Sequence, residues 1–149
     1  MKSPLIAIIV PTYNHEKFIG RCLRSLINQN FARDKYEIIV VDDGSTDKTQ
    51  SALKVFMNDI VYIRNEQNMG LPAAINKGIA STRSPYVVRV DSDDYVNEHF
   101  LSVLFMFLSE NREMDAASCD YLLVNDREEI IGRKNCMDEP IACGIMFRT

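Results

Sequence analysis

The sequence has no C-x-x-C pair, and its two histidines, His15 and His99, have no partner at metal-ligand spacing. A zinc site of the usual kinds is therefore not expected. Cys22, Cys119, Cys136 and Cys143 read as reduced packing residues, and no signal peptide precedes them, which together point to a cytoplasmic setting. The longest apolar runs, "LIAIIV" and "FLSVLFMFL", fall well short of the roughly 18 residues of a membrane span. Positive charge is not in excess: 17 Lys and Arg face 21 Asp and Glu, a net −4, which argues against a nucleic-acid surface. No G-x-x-x-x-G-K-[ST] is present, nor a G-x-G-x-x-G after the first apolar run, which weakens an NTPase or dinucleotide oxidoreductase. G-x-S-x-G is missing too, and no Cys–His arrangement suggests a covalent hydrolase. Internal repeats, low-complexity tracts and a clear linker are absent as well.

What is present is an alternation. "LIAIIV" (Leu5–Val10) and "YEIIVVD" (Tyr36–Asp42) are continuous β-rich runs, as expected of strands buried on both faces. Between them, Phe18, Ile19, Cys22, Leu23, Leu26 and Ile27 form a helical stripe over His15–Asn30, with Asn14 as the expected N-cap. Ser45, Thr46 and Asp47 offer capping oxygens for a helix to about Met57. A third strand is expected over Asp59–Asn65, and a helix over Leu71–Ser81 with Pro72 in its first turn. "PYVVRVD" gives a fourth strand, and a helix over Asn97–Glu110 buries Phe100, Leu101, Leu104, Phe105 and Leu108. Such alternation predicts an α/β domain with a mostly parallel sheet. Past Asn111 the rhythm changes. "AASCDYLLVND" and "EEIIGRK" read as two strands around a polar turn, and "IACGIMFRT" as another, predicting an antiparallel or mixed C-terminal extension of the sheet.

In open parallel sheets, ligands bind beyond the carboxyl ends of the strands, at the switch in strand order. The unusual residues of this chain fall there: "PTYN" (Pro11–Asn14), "DDGSTD" (Asp42–Asp47), "NEQNMG" (Asn65–Gly70) and "DSDD" (Asp91–Asp94). Gly44 to Asp47 are explained by a turn and a cap, but Asp43 is not; its carboxylate suits the N–H of a pyrimidine base. Tyr13 on the next strand can stack on that base, for roughly 1–3 kcal/mol. Asp91 and Asp93 point to one side of an extended chain, about 6.5–7 Å apart at Cα, and a turn brings Asp94 round to them. Repulsion among these carboxylates is relieved by a hard cation, and Mg²⁺ or Mn²⁺ commonly bridges carboxylates to phosphates. Arg89, inside the fourth strand, needs a strand-end acid or a phosphate as its partner. Lys77 reads as solvated surface or as a second phosphate contact.

Taken together, "IAIIVPTYNHEKFIGRCLRSLINQ", "IIVVDDGSTDKT", "NMGLPAAINKGIASTRSPYVVRVDSDD" and "CGIMFR" resemble the family-2 glycosyltransferases of the GT-A fold, over nearly the whole chain. The resemblance implies a Rossmann-like sheet, a nucleotide-diphospho-sugar donor (a UDP-sugar as the first expectation), a Mg²⁺ or Mn²⁺ ion, and inverting transfer to a hydroxyl of a glycan or lipid-linked acceptor. It implies work in polysaccharide or glycolipid synthesis, with any peripheral membrane association left to regions outside this chain. It assigns Pro11, Tyr13 and Asn14 to the base side and Asp43 to the base itself. Asn68, Gly70 and Asn76 fall beside the donor, Asp91 near ribose and diphosphate, Asp93 with Asp91 on the metal, and Asp94 in support or toward the sugar. Many members carry Arg before the asparagine matched by Asn76; this chain has Ile75, so diphosphate contacts are expected from Arg89 or Lys77. The family's general base lies downstream of the segment matched by "CGIMFR". Residues 1–149 are therefore expected to be one donor-binding domain cut at its C-terminal end, with the catalytic base beyond Thr149. The alternative is a nucleotide-sugar-binding module without catalysis. A phospho-receiver reading would want an acidic pair after the first strand, where "VPTYN" stands.

Overall fold

The computed structural model describes residues 4–149. The chain runs β1 (Ile6–Thr12), α1 (Ile19–Ile27), β2 (Tyr36–Asp42), α2 (Thr49–Leu53, continued as a 3-10 turn over Lys54–Phe56), β3 (Val61–Arg64) and α3 (Leu71–Ala80). There follow β4 (Tyr86–Arg89), α4 (Phe100–Glu110), β5 (Ala116–Ala117), β6 (Tyr121–Val124), β7 (Ile130–Lys134) and β8 (Met146–Arg148). Six strands form a sheet in the order β3-β2-β1-β4-β8-β5. The first four are parallel, and β8 and β5 extend the sheet antiparallel beyond β4. The strand order turns at β1, with β2 on one side and β4 on the other. The crevice expected of such a reversal opens between their carboxyl ends.

Every residue of β1 is buried, because both sheet faces are covered. Alternation sorts the side chains. Ile6, Ile8 and Val10, with Ile38, Val40 and Val88, pack against α1 and α4 through Ile19, Leu23, Leu26, Leu101 and Leu104. Ala7, Ile9, Ile39, Val41 and Val87 form a smaller cluster under α3 with Ala74. Each aliphatic side chain buried outright contributes about 1.5–3 kcal/mol. Gly78 lets α3 come close: a Cβ there would stand 2.6 Å from Ile9 Cγ2.

Several boundaries differ from expectation. α1 starts at Ile19 rather than His15, and Asn14 is not its cap. Asn14 instead adopts a left-handed backbone (φ 56°) and turns its side chain to another loop. α2 begins at Thr49, whose amide donates to Asp47 Oδ1, and the helical stretch runs to Phe56, in line with the expected end near Met57. β3 is shorter than Asp59–Asn65. α4 starts at Phe100 rather than Asn97, whose Oδ1 accepts the His99 amide in a turn. Of the two strands expected around a polar turn, the first splits: its start, β5, pairs with β8 in the main sheet, while β6 pairs with β7 in a separate two-stranded sheet. No helix among the described residues is long and apolar enough to cross a membrane.

Candidate functional site

The four polar loops meet around a cleft of about 360 Å³ at the crevice between β1 and β4. The β1 exit contributes Pro11, Thr12, Tyr13 and His15, and Asp43 comes from β2. The loop before α3 adds Asn68, and β4 and its exit add Arg89, Asp91, Ser92 and Asp93. Tyr13 is 40% exposed at the rim of this cleft.

The walls are built by side chains that hold main chain. Asn14 Oδ1 accepts the amides of Thr46 and Asp47 at 2.8 and 3.2 Å, and the Asn14 amide donates to Ser45 Oγ at 3.0 Å. Asn14 thus clamps the β1 exit to the β2 exit. Asp42 is fully buried, and an unpaired charge there would be expensive. It accepts the Ser45 amide, the Tyr62 hydroxyl and Arg64 Nη1, at 2.8, 2.8 and 2.6 Å. Asp43 Oδ1 accepts Asn65 Nδ2 at 2.6 Å and the Met69 amide at 3.0 Å, and Oδ2 accepts the Gly70 amide at 2.8 Å. Lys77 Nζ donates to Asn65 Oδ1 at 2.6 Å. Desolvation opposes the charge on Asp43. The donors from Asn65, Met69 and Gly70, with the Lys77 ammonium behind, outweigh it and hold the carboxyl below its usual value. Gly44 (φ 78°) makes the close approach of these loops possible, since a Cβ there would lie 2.7 Å from the Gln67 carbonyl carbon.

On the β4 side, Arg89 Nε and Nη2 donate to the two oxygens of Asp91 at 2.6 and 2.8 Å. The Asp91 amide points at Cys143 Sγ, and the Asp94 amide closes a turn on the Asp91 carbonyl. Asp91, Asp94 and Cys143 bring potential ligand atoms within 4.8 Å of one another. Desolvation, then the charges of Asp93 and Asp91, push the Asp94 carboxyl up. Burial, with the same carboxylates, pushes the Cys22 thiol up to about 12. His15 Nδ1 and Ser92 Oγ lie 2.6 Å apart and join the β1 exit to this turn. Asp93 is exposed and is held through its main-chain oxygen by Arg21 Nη2.

Pro11, Tyr13, Asp43, Asn68, Arg89, Asp91 and Asp93 are therefore brought together around one cleft. Asp94 stands at its edge with Asp91, while Asn14 and Gly70 act in the walls. Asn76 is exposed on α3, outside the cleft lining. Lys77 braces Asn65 behind the loop instead of facing the cleft. Ile75 lines an apolar recess with Ile79, Val87 and Phe147, and Arg89 borders both that recess and the cleft. Sequence reasoning missed Arg21, Ser25 and Gln29, which hold the main chain of the acidic loop. Their i, i+4, i+8 spacing beside the apolar stripe of α1 was the available signal.

A sequence model of glycosyl transferase family 2 matches residues 7–135. The chain belongs to that family. As a family-2 member, it is 38% identical over 126 residues to glycosyltransferase GlyA of Streptococcus pneumoniae, covering 83% of this chain and 18% of GlyA. The solved S. aureus TarS 1–349 superposes with a TM-score of 0.80 at 29% identity, covering 96% of this chain and 46% of that one. The same TarS fragment in complex with UDP-GlcNAc gives a TM-score of 0.73 at 32% identity, over 85% and 37%. Mannosyltransferase PcManGT of Pyrobaculum calidifontis, solved with GDP-Man and Mn²⁺, gives a TM-score of 0.72 at 28% identity, over 86% and 38%. The chain thus spans less than half the length of each of these proteins.

Proposed function

We propose that this chain holds the donor of a sugar transfer: a nucleotide-diphospho-sugar, with a UDP-sugar the first candidate, bound in the β1–β4 cleft. The observation that carries the reading is the meeting of Tyr13, Asp43, Arg89, Asp91 and Asp93 around that cleft in a family-2 chain. UDP-GlcNAc bound to TarS supports the choice of base.

In this reading Tyr13 stacks on the base, with Pro11 beside it, and Asp43 accepts a base N–H. Asp43 is kept ionised by its own donors, so its carboxylate is an acceptor at neutral pH. Asn68 and Gly70 lie along the donor, Asn14 fixes the base-side loop, and Asp94 supports the acidic turn or reaches the sugar; Asn76, outside the cleft lining, is given no contact with it. Asp93 and Asp91 both line the cleft and offer hard oxygen donors, and Asp91 has the Asp94 carboxylate within 4.8 Å, which suits Mg²⁺ or Mn²⁺. Mn²⁺ in the PcManGT complex supports that fit. Bound there, the cation would offset the charge that develops on the departing nucleoside diphosphate. Arg89 supplies a second, permanent positive charge, in place of the arginine that Ile75 displaces. An acceptor hydroxyl, of a glycan or a lipid-linked sugar, attacks the anomeric carbon from the face opposite the diphosphate, inverting it, with a general base from outside the residues assigned here. The chain is then the donor-binding portion of a longer enzyme. A cytoplasmic setting, where its four free thiols would stay reduced, is part of this reading.

The test is calorimetric titration of the chain with UDP, GDP and their sugar conjugates, with Mn²⁺ and with EDTA. The expected result is UDP binding that Mn²⁺ tightens. Failure of every nucleoside diphosphate to bind would reject the reading.

A further inference from the structure

Between β4 and α4 the chain has neither strand nor helix. A loop carrying several carboxylates has no shape of its own to rely on, yet this one is held almost residue by residue. The holder is one edge of α1. Cys22 Sγ donates to the Asp91 carbonyl at 3.5 Å, and Arg21 Nη2 to the Asp93 carbonyl at 2.9 Å. Ser25 Oγ accepts the Val96 amide at 3.2 Å. Gln29, just past the helix, donates to the Asn97 carbonyl at 2.8 Å and accepts the Leu101 amide at 3.0 Å. The helix itself is immobilised by Ile19, Cys22, Leu23 and Leu26, all fully buried.

Arg21 does most at the acidic turn. Besides the Asp93 carbonyl, its guanidinium lies 4.5 Å over the Tyr95 ring, and Nη1 pairs with Glu128 at 2.9 Å. Glu128 sits in the β6–β7 turn with φ 63°. One planar fork therefore fixes the peptide after Asp93, the ring two residues on, and the tip of a distant hairpin. Lysine has a single ammonium and no plane to stack, so it cannot serve all three.

We propose that Arg21 is a positioning residue for Asp93: by gripping the Asp93 main chain it sets where the Asp93 carboxylate points, and so how well the cleft takes a divalent cation together with a diphosphate. The inference rests on Asp93 being a metal ligand, as proposed above. Arg21 touches neither donor nor cation. Its effect belongs to the metal-dependent part of binding and leaves the base pocket alone.

The experiment measures UDP affinity of the 149-residue chain by calorimetry in EDTA and in Mn²⁺, and takes the ratio as the gain due to metal. Arg21→Met is expected to lower that gain about tenfold, the low end of what outer partners of metal ligands cost. Affinity in EDTA is expected to change by less than about twofold. Arg21→Lys, the milder variant should Arg21→Met fold poorly, is expected to lose most of the gain as well. Glu128→Gln keeps the grip on Asp93 and is expected to keep the gain. An unaltered gain in both Arg21 variants overturns the inference. So does an equal loss with and without Mn²⁺, which marks a damaged cleft, or a loss in Glu128→Gln as large as in Arg21→Met, which places the effect in the hairpin. A wild-type chain that binds UDP with no gain from Mn²⁺ overturns the metal reading first, and this inference with it.

Discussion

Arg89 grips Asp91 by both carboxylate oxygens, at 2.6 and 2.8 Å, and the pair is mostly shielded from water, with side chains 18% and 27% exposed. Charge-assisted bidentate pairing of this kind is among the stronger polar contacts available to a protein. It means that the acidic turn carries its own counter-ion before any ligand arrives.

A cation arriving without nucleotide must compete with that guanidinium for Asp91. Arg89→Met is expected to raise the affinity for Mn²⁺ alone roughly three- to tenfold. It is also expected to weaken UDP binding in EDTA, because Arg89 is the one Lys or Arg lining the cleft among the described residues. Paramagnetic titration of Mn²⁺ and calorimetry of UDP read the two effects, and changes of the same sign would contradict this account.

Asp43 joins β2 to the loop before α3 through Asn65, Met69 and Gly70. Asp43→Asn turns half of an all-acceptor group into a donor facing donors. Unfolding in urea is expected to show a loss of about 1.5–3 kcal/mol, with the slope unchanged.

The same residue sets a pH dependence. Its carboxyl is held below its usual value, so the stability it contributes is complete above the ordinary carboxylate range and is lost as pH falls through the depressed value. The difference in urea midpoint between wild type and Asp43→Asn is expected to stay constant from about pH 7 to pH 5 and to shrink only below about pH 4. Shrinkage already near pH 6 would show that the carboxyl is not held down.

At Gly78 the close packing of α3 on β1 leaves no room for a side chain. Alanine improves helix propensity by about 0.8–1.0 kcal/mol. The added methyl would meet Ile9 Cγ2 at 2.6 Å, and overpacking costs about 1–3 kcal/mol. Gly78→Ala is expected to lower Tm by a few degrees on a thermal scan, where an exposed helical glycine would give a rise.

The parallel core was legible because "LIAIIV" and "YEIIVVD" have few alternatives to strands buried on both faces, and the loops at their ends carried most of the polar cleft residues. What escaped was set by contacts distant in sequence. Asn14 has the chemistry of a helix cap, but the Thr46 and Asp47 amides, more than thirty residues away, claim its oxygen, so α1 starts late. Asn97 looked like the first residue of α4 and is spent on a turn. Arg21, Ser25 and Gln29 look like the wet side of an amphipathic helix, and only the return of the chain after β4 shows what they hold. The hairpin of β6 and β7 had the right pattern, but no local signal said that it would stand apart from the main sheet.

The bonds from α1 to the acidic loop span 68 to 72 residues of sequence. Contacts so remote form only after the intervening chain has been ordered and its closure entropy overcome. On a growing polypeptide, Arg21, Cys22, Ser25 and Gln29 are made before Asp91, so the side chains that hold the acidic loop precede it. Asp91, Asp93 and Asp94, three carboxylates that would repel one another in a free chain, meet partners on a helix whose apolar side is buried. The acidic side of the cleft is in this sense written twice, once in its own carboxylates and once in a helix made 68 to 72 residues earlier.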